Sequence, residues 1–289
     1  MIELLEACVR IRSLSGHEQQ VAEFLRAEMA ARGFRAHVDA AGNAVGIAGD
    51  GPRQLVLLGH MDTVDGDVPV RYDNGALYGR GSVDAKGPLC TFVLAAAQVV
   101  QRLAQHGNGL NDWQVIVIGA TEEEAATSKG ARFAATQYHP ELCVIGEPSG
   151  ADAVTLGYKG RLLVEAHFEQ SARHTAMPGP SASEQAIQLW AWLDGFARAY
   201  NTARPKAYDQ IMPALRQINS GEDGLREWCD AVIGLRLPIE MGPHEVQRHF
   251  EQWAAGRPAE AIRPLLTFRG HEIAFRSTRD TPLAHAFVD

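Results

Sequence analysis

Acidic and imidazole side chains follow short apolar runs at four places in this chain. They are His60 and Asp62 in LVLLGHMDT, Asp84 in GRGSVDAKG, Glu122 and Glu123 in VIVIGATEEEA, and Glu147 in LCVIGEPS. These side chains are ligand types for zinc and for hard divalent cations. An open α/β sheet presents its ligand-binding groups at the carboxyl ends of its strands, which is where each of these runs ends. The shared pattern points to a divalent-metal centre that activates water for hydrolysis.

Each signal alone has a plainer reading. His60 and Asp62 are two apart, so on an extended segment both face one way. A carboxylate beside a metal-bound imidazole fixes its tautomer and orientation, yet HxD also describes a buried histidine hydrogen-bonded to its neighbour. Asp84 lies in a glycine-rich turn before a helix, where neither GxGxxG nor the P-loop pattern is present. Two readings stay open there, an aspartate bridging two cations and a cap for the helix starting near Lys86. A triplet such as Glu122–Glu124 is usually a solvated charge run. Here no lysine or arginine interleaves and an apolar strand precedes it. Adjacent carboxylates point different ways, so one can ligate while its neighbour shuttles a proton.

The elements that must position these groups alternate. Residues 1–12 and 17–32 read as amphipathic helices broken at 13–16, with Gly33 as a stop. Strands are expected at 34–38, 43–48, 54–59, 114–119 and 142–146, with helices at 87–105 and about 129–136. Such alternation implies a parallel or mixed sheet covered by helices. After residue 160 the texture becomes strand 161–168, helix 181–200, strand 233–237 and helix 243–253, a small α+β unit inserted into the first. From about Leu265 the chain is expected to return to the main sheet, with a strand at 273–275 and a helix from Thr281.

At 289 residues and 46% hydrophobic composition, the chain can bury the cores of two domains. A net charge of −8 argues against nucleic acid and anionic membrane as partners, since both call for a basic face. Cys8, Cys90, Cys143 and Cys229 form no CxxC pair, so reduced thiols in a reducing compartment are expected. The charged start MIELLEACVR is a poor secretion signal. No run approaches the roughly 20 apolar residues of a bilayer span. A cytoplasmic location is the expectation.

GHMDTV, LYGRGSVDAKG, the glutamate pair after an apolar strand, and GEPS together resemble the dinuclear zinc aminoacylases and carboxypeptidases. Acetylornithine deacetylase, succinyl-diaminopimelate desuccinylase and the glutamate carboxypeptidases belong to that family. The resemblance implies an α/β, zinc-peptidase-like mixed sheet flanked by helices. The metal-binding domain would be 1–158 plus 266–289, and 159–265 an inserted α+β lid through which two chains dimerise. It implies that His60 and Glu147 bind one zinc, Asp84 bridges, and Glu123 binds the second. Glu122 would be the general base and Asp62 the orienter of His60. Two Zn2+ per subunit are implied, with Co2+ as an alternative ion. In the family a histidine of the smaller domain stabilises the oxyanion, often across a dimer interface. His174 in SARHTAMPGPSASEQAI matches it, a helix-capping loop histidine being the competing reading.

TEEEAATSKGAR, IGEPSG, GYKGR and GLRLP resemble more narrowly the lysine-biosynthesis branch. Its members release lysine or ornithine from the C-terminal glutamate of a small amino-group carrier protein, in lysine and arginine biosynthesis. That implies an acidic site for a distal ammonium, for which Glu124 is suited. It also implies a basic residue for the product's α-carboxylate, with Arg236 and Arg276 as candidates, each also readable as an ordinary ion-pair arginine. A small-molecule deacylase, such as an acetylornithine deacetylase, and a catalytically silent binding relative are the other readings. Family members continue several tens of residues past the helix at Thr281, a stretch that carries the last histidine of the second zinc. His271 and His285 read as surface or packing residues, so a chain truncated there is expected to have a well-formed first site and a weak second one.

Overall fold

A computed structural model describes residues 2–150, 152–172 and 178–288. The oxyanion candidate His174 lies outside the described residues. The chain divides into two compact units, Met1–Ala153 and Val154–Asp289.

In the first unit a five-stranded sheet is built from β1 (Arg35–Val38), β2 (Ala44–Ala48), β3 (Arg53–His60), β6 (Trp113–Ala120) and β7 (Leu142–Ile145). The spatial order is β1-β2-β6-β3-β7. Strand β3 runs parallel to β6 and β7, whereas β1 and β2 pair antiparallel, so the sheet is mixed as expected. A short hairpin of β4 (Arg71–Asp73) and β5 (Ala76–Tyr78) stands apart from it.

Strand β6 is apolar and buried from Val115 onward because both its faces are covered there. Val115 and Val117 join the core formed with α1 (Ile2–Arg10), α2 (Gln19–Ala31) and α3 (Lys86–Gln105). Ile116 and Ile118 face the other way, with Val45, Val56 and Ala134 of α4 (Lys129–Gln137). Helix α3 is long and apolar enough to cross a membrane by length and composition, contrary to the expectation that no segment is. Its Leu89, Cys90, Val93, Ala96 and Ala97 are instead buried in the first core, which is why its composition is apolar.

The register sets the site. Gly59 pairs with Gly119 and His60 with Ala120, so the ligand-bearing ends of β3 and β6 are level. A Cβ on Gly59 would lie 3.1 Å from Leu89, and one on Gly119 would lie 3.0 Å from it. Two bare backbones thus let Leu89 seat α3 directly on these strand ends.

The second unit is a four-stranded antiparallel sheet in the order β10-β11-β9-β12. Its strands are β9 (Gly160–Ser171), β10 (Met212–Glu222), β11 (Arg226–Leu237) and β12 (Leu265–Glu272). Leu162, Val164 and Phe168 of β9 alternate inward with Ile233 and Leu235 of β11. They pack against Leu189 and Leu193 of α5 (Ala182–Asn201) and Val246 and Phe250 of α6 (Pro243–Ala255). A capping box of Ser181 and Glu184 starts α5.

The domain boundaries differ from those expected. Leu265–Glu272 does not return to the first sheet but pairs with β9, because Leu266 and Phe268 complete the second core. Then β13 (Phe275–Arg276) pairs with β8 (Gly157–Tyr158), followed by α7 (Pro282–Val288).

Leu89 is 1% exposed. Leu89→Ala should lower the unfolding free energy of the chain by about 2–5 kcal/mol, measured by urea denaturation, through lost burial and the cavity left behind.

Candidate metal centre

His60 closes β3 and is buried. Its Nδ1 lies 3.0 Å from the Asp62 carbonyl oxygen and 3.4 Å from Asp62 Oδ1. An N–H there donates mainly to the carbonyl, so Asp62 orients the ring through backbone as well as carboxylate. The other nitrogen, Nε2, faces three carboxylates: Asp84 Oδ1 at 3.1 Å, Glu123 Oε2 at 3.8 Å and Glu147 Oε1 at 3.8 Å.

Asp84 ends the glycine-rich turn before α3. The residue at the start of that helix is Ala85, and no side chain caps it, so the capping role does not hold for Asp84. Lys86, two residues on, is buried, and burial pushes its pKa down. Its ammonium donates to the carbonyls of Cys8 and Ile11, at 3.2 and 2.7 Å, tying this turn to α1.

The glutamate triplet forms the loop after β6, with the Glu123 and Glu124 side chains exposed and the backbone anchored. Its backbone amides turn inward onto buried side chains brought from elsewhere in the sequence. Glu122 N–H donates to Glu18 Oε1 at 2.9 Å, Glu123 N–H to Asp62 Oδ1 at 3.0 Å, and Glu124 N–H to Asp62 Oδ2 at 3.0 Å. The Ser15 hydroxyl adds a 2.7 Å bond to Asp62 Oδ2. Asn43, also buried, accepts from Thr121 N–H at 3.1 Å and donates to the Gly130 carbonyl at 3.0 Å, closing the loop's two ends. Glu122 itself has φ of 54°, a left-handed conformation that costs a side-chain-bearing residue of order 1–3 kcal/mol. Its carboxylate accepts the Thr127 hydroxyl at 2.6 Å, with the Lys129 ammonium 3.6 Å away.

Two ligand groups result, His60–Asp84–Glu147 and His60–Glu123–Glu124, each with its donor atoms within 4.8 Å of one another. One imidazole amid carboxylates, with no thiol, fits a borderline or hard divalent cation. Glu124 thus falls into the ligand cluster itself and not into a separate acidic pocket.

The charge pattern is that of a site waiting for cations. Burial alone would lower the His60 pKa, but the Asp62 hydrogen bond and the charges of Glu147, Glu123 and Asp62 raise it to about 9. Burial raises Glu147 to about 7; His60 opposes this shift, while Glu123, Asp84 and Glu124 add to it. Burial also raises Glu124, with Asp84 adding to it. For Asp62, burial is outweighed by the hydrogen bonds from His60, Ser15, Glu123 and Glu124, and its pKa falls.

The structure therefore gathers His60, Asp62, Asp84, Glu122, Glu123 and Glu147 in the first unit. Arg236 and Arg276 lie in the second. Arg236 is exposed on β11, beside Met212 of β10 and Arg161 of β9. Arg276 stands 3.7 Å from Asp209 and over the Tyr208 ring. His271 bonds to Gln247 at 2.7 Å and stacks on His244, and His285 lies 3.4 Å from Asp280. Ser15, Glu18, Asn43, Thr127 and Lys129 escaped the sequence reading. Ser15 and Glu18 sit in SLSGHEQQ, which reads only as a helix break.

Residues 56–265 match the family model described as Peptidase family M20/M25/M40. A LysW-lysine hydrolase of Deinococcus radiodurans is 47% identical over 98% of this chain, which spans 76% of that relative. A Thermococcus kodakarensis protein, provisionally named a LysW-lysine/LysW-ornithine hydrolase, is 35% identical over 84% of the chain, which spans 64% of it. Among solved structures, an M20 family metallo-carboxypeptidase of Sulfolobus solfataricus superposes with a TM-score of 0.70 at 16% identity, covering 99% of this chain and 81% of that one.

Cation binding must displace protons here, because ligating imidazole and carboxylate are deprotonated. With His60 at about 9 and Glu147 at about 7, both hold protons at or below pH 7. Zinc binding at pH 7 should release between about one and two protons, and affinity should rise with pH until about 9. Calorimetry in two buffers of different ionisation enthalpy measures this. Proton-neutral binding at pH 7 would contradict the site.

Proposed function

The chain belongs to peptidase family M20/M25/M40, and from that premise we propose that it releases lysine, or ornithine, from the C-terminal glutamate of an amino-group carrier protein. The observation that carries this reading is the 47% identity, over nearly the whole chain, with a LysW-lysine hydrolase. The metal centre described above supports the reaction class, a metal-dependent hydrolysis of an amide.

In this reading His60, Asp84 and Glu147 would hold one ion, and Glu123 with Asp84 the other. Zinc is the proposed ion and cobalt the alternative. When bound, such a pair supplies a water acidic enough to ionise near neutral pH and polarises the scissile carbonyl.

The chain's own residues do the rest. Glu122 takes the proton from the attacking water and returns it to the departing amine, a task that suits a carboxylate already pinned by Thr127 and facing Lys129. Asp62 keeps the His60 ring turned so that Nε2 faces the carboxylates. His174 is proposed to stabilise the oxyanion, and Arg236 or Arg276 to hold the product's α-carboxylate. Dimerisation through the second unit and a cytoplasmic location complete the proposal.

The test is turnover by the metal-loaded chain of carrier-linked lysine and carrier-linked ornithine against N-acetylornithine. Preference for the carrier-linked substrates supports the reading. Cleavage of acetylornithine alone replaces it with a small-molecule deacylase, and no cleavage of any amide leaves a binding protein. Glu122→Ala should lower kcat by about 10²–10⁴-fold while the bound metal is retained. Equal activity with and without the Glu122 carboxylate would remove it from the mechanism.

A further inference from the structure

Glu18 is a buried carboxylate that the proposed chemistry does not yet use. It is 5% exposed and stands at the residue that opens α2. It makes no side-chain cap bond. Its Oε1 instead accepts two backbone N–H groups, from Gly16 at 2.9 Å and from Glu122 at 2.9 Å. The second of these spans 104 positions of sequence and lands on the one glutamate of the triplet that is left-handed. Because Glu123 and Glu124 donate to Asp62, the Glu18 bond is what separates the fate of Glu122 from that of its neighbours.

We propose that Glu18 is a positioning residue for Glu122, holding it in the left-handed conformation in which its carboxylate meets the Thr127 hydroxyl and faces Lys129. This rests on the reading of Glu122 as general base. The geometry behind it is local. Three consecutive amides are each met by a buried carboxylate, and the first of the three residues takes positive φ as it does so. Without an acceptor at Glu122 N–H, only the side-chain contacts to Thr127 and Lys129 hold Glu122 against the strain of that φ, and the loop can relax towards ordinary backbone. The metal ligands would stay held by Asp62 while the base drifts. The segment carrying Glu18 is itself fixed to β3's end: Ser13 Oγ donates to the Met61 carbonyl at 2.7 Å, and Thr63 N–H donates to the Ser13 carbonyl at 2.8 Å.

The experiment compares Glu18→Ala, Glu18→Gln and Glu18→Asp in the full, metal-loaded chain. Steady-state kinetics on carrier-linked lysine are read beside hydrogen exchange over residues 121–130. Glu18→Ala should lower kcat about 10–100-fold, the scale of a misplaced catalytic group, with KM and metal content unchanged and exchange at the Glu122 amide accelerated. Glu18→Gln should stay within a few-fold of the parent, since its amide oxygen accepts the same N–H groups. Glu18→Asp, one methylene short, should fall between. In a Glu122→Ala background, Glu18→Ala should cause no further loss. Unchanged kcat in Glu18→Ala, an undiminished additional loss in that background, or unaltered exchange at Glu122 overturns the proposal. If Glu18→Ala fails to fold, the order of Gln above Asp decides, and equality or the reverse order overturns it. If the parent chain cleaves no amide, the hydrolase reading fails, and exchange at Glu122 still tests the positioning role.

Discussion

The Asp62 carboxylate is fully buried, and it survives there only because four groups pay its desolvation. The Ser15 hydroxyl and the amides of Glu123 and Glu124 donate to it, and the His60 ring lies against it. The four partners come from three parts of the chain: the segment before α2, the loop after β6, and the end of β3. One charge therefore fixes the relative placement of three elements whose side chains make up the candidate metal centre. Removing it would leave buried donors without partners, which costs more than the bonds themselves contribute in water.

This arrangement explains how four carboxylates and an imidazole are brought together. The backbone of Glu122–Glu124 faces buried acceptors, so the side chains are forced outward into a shared space. Asn43 and Glu18 extend the same device to the two amides just before those that Asp62 holds, Thr121 and Glu122. Below them, Gly59 and Gly119 let Leu89 press α3 onto the strand ends, so that Asp84 arrives beside His60 at the start of that helix. The electrostatic consequence is an imidazole pulled up to about 9 and a carboxylate pushed to about 7. The first shift comes, against burial, from carboxylates crowded around one imidazole, and the second from burial and that same crowding, the condition that a bound cation relieves.

Much of this was legible in the residues. Ligands placed after apolar strands, and a mixed sheet with a second α+β unit, follow from local patterning. The supporting residues were not, because Ser15, Glu18 and Asn43 act across 47 to 104 positions and carry no local signature. Strand β10 was missed for a different reason. Its sequence, MPALRQINSGE, lies at a sheet edge with little buried on either face, so no two-residue alternation shows. The β4–β5 hairpin did carry a signal, since Asn74–Gly75 with φ of 49° and 79° is the turn that Asn-Gly favours. Leu265–Glu272 was recognisable as apolar, but alternation says which face is buried and not which sheet a strand joins.

The central claim is that His60, Asp84 and Glu147 converge on one divalent cation, with the glutamate loop locked beside it by Asp62. Anomalous diffraction at the zinc edge from crystals of the zinc-loaded chain tests it most directly. The account predicts a peak about 2.0–2.2 Å from His60 Nε2 and from carboxylate oxygens of Asp84 and Glu147, with the Glu123 and Glu124 amides still bonded to Asp62. An ion bound elsewhere, or none at His60, would contradict it.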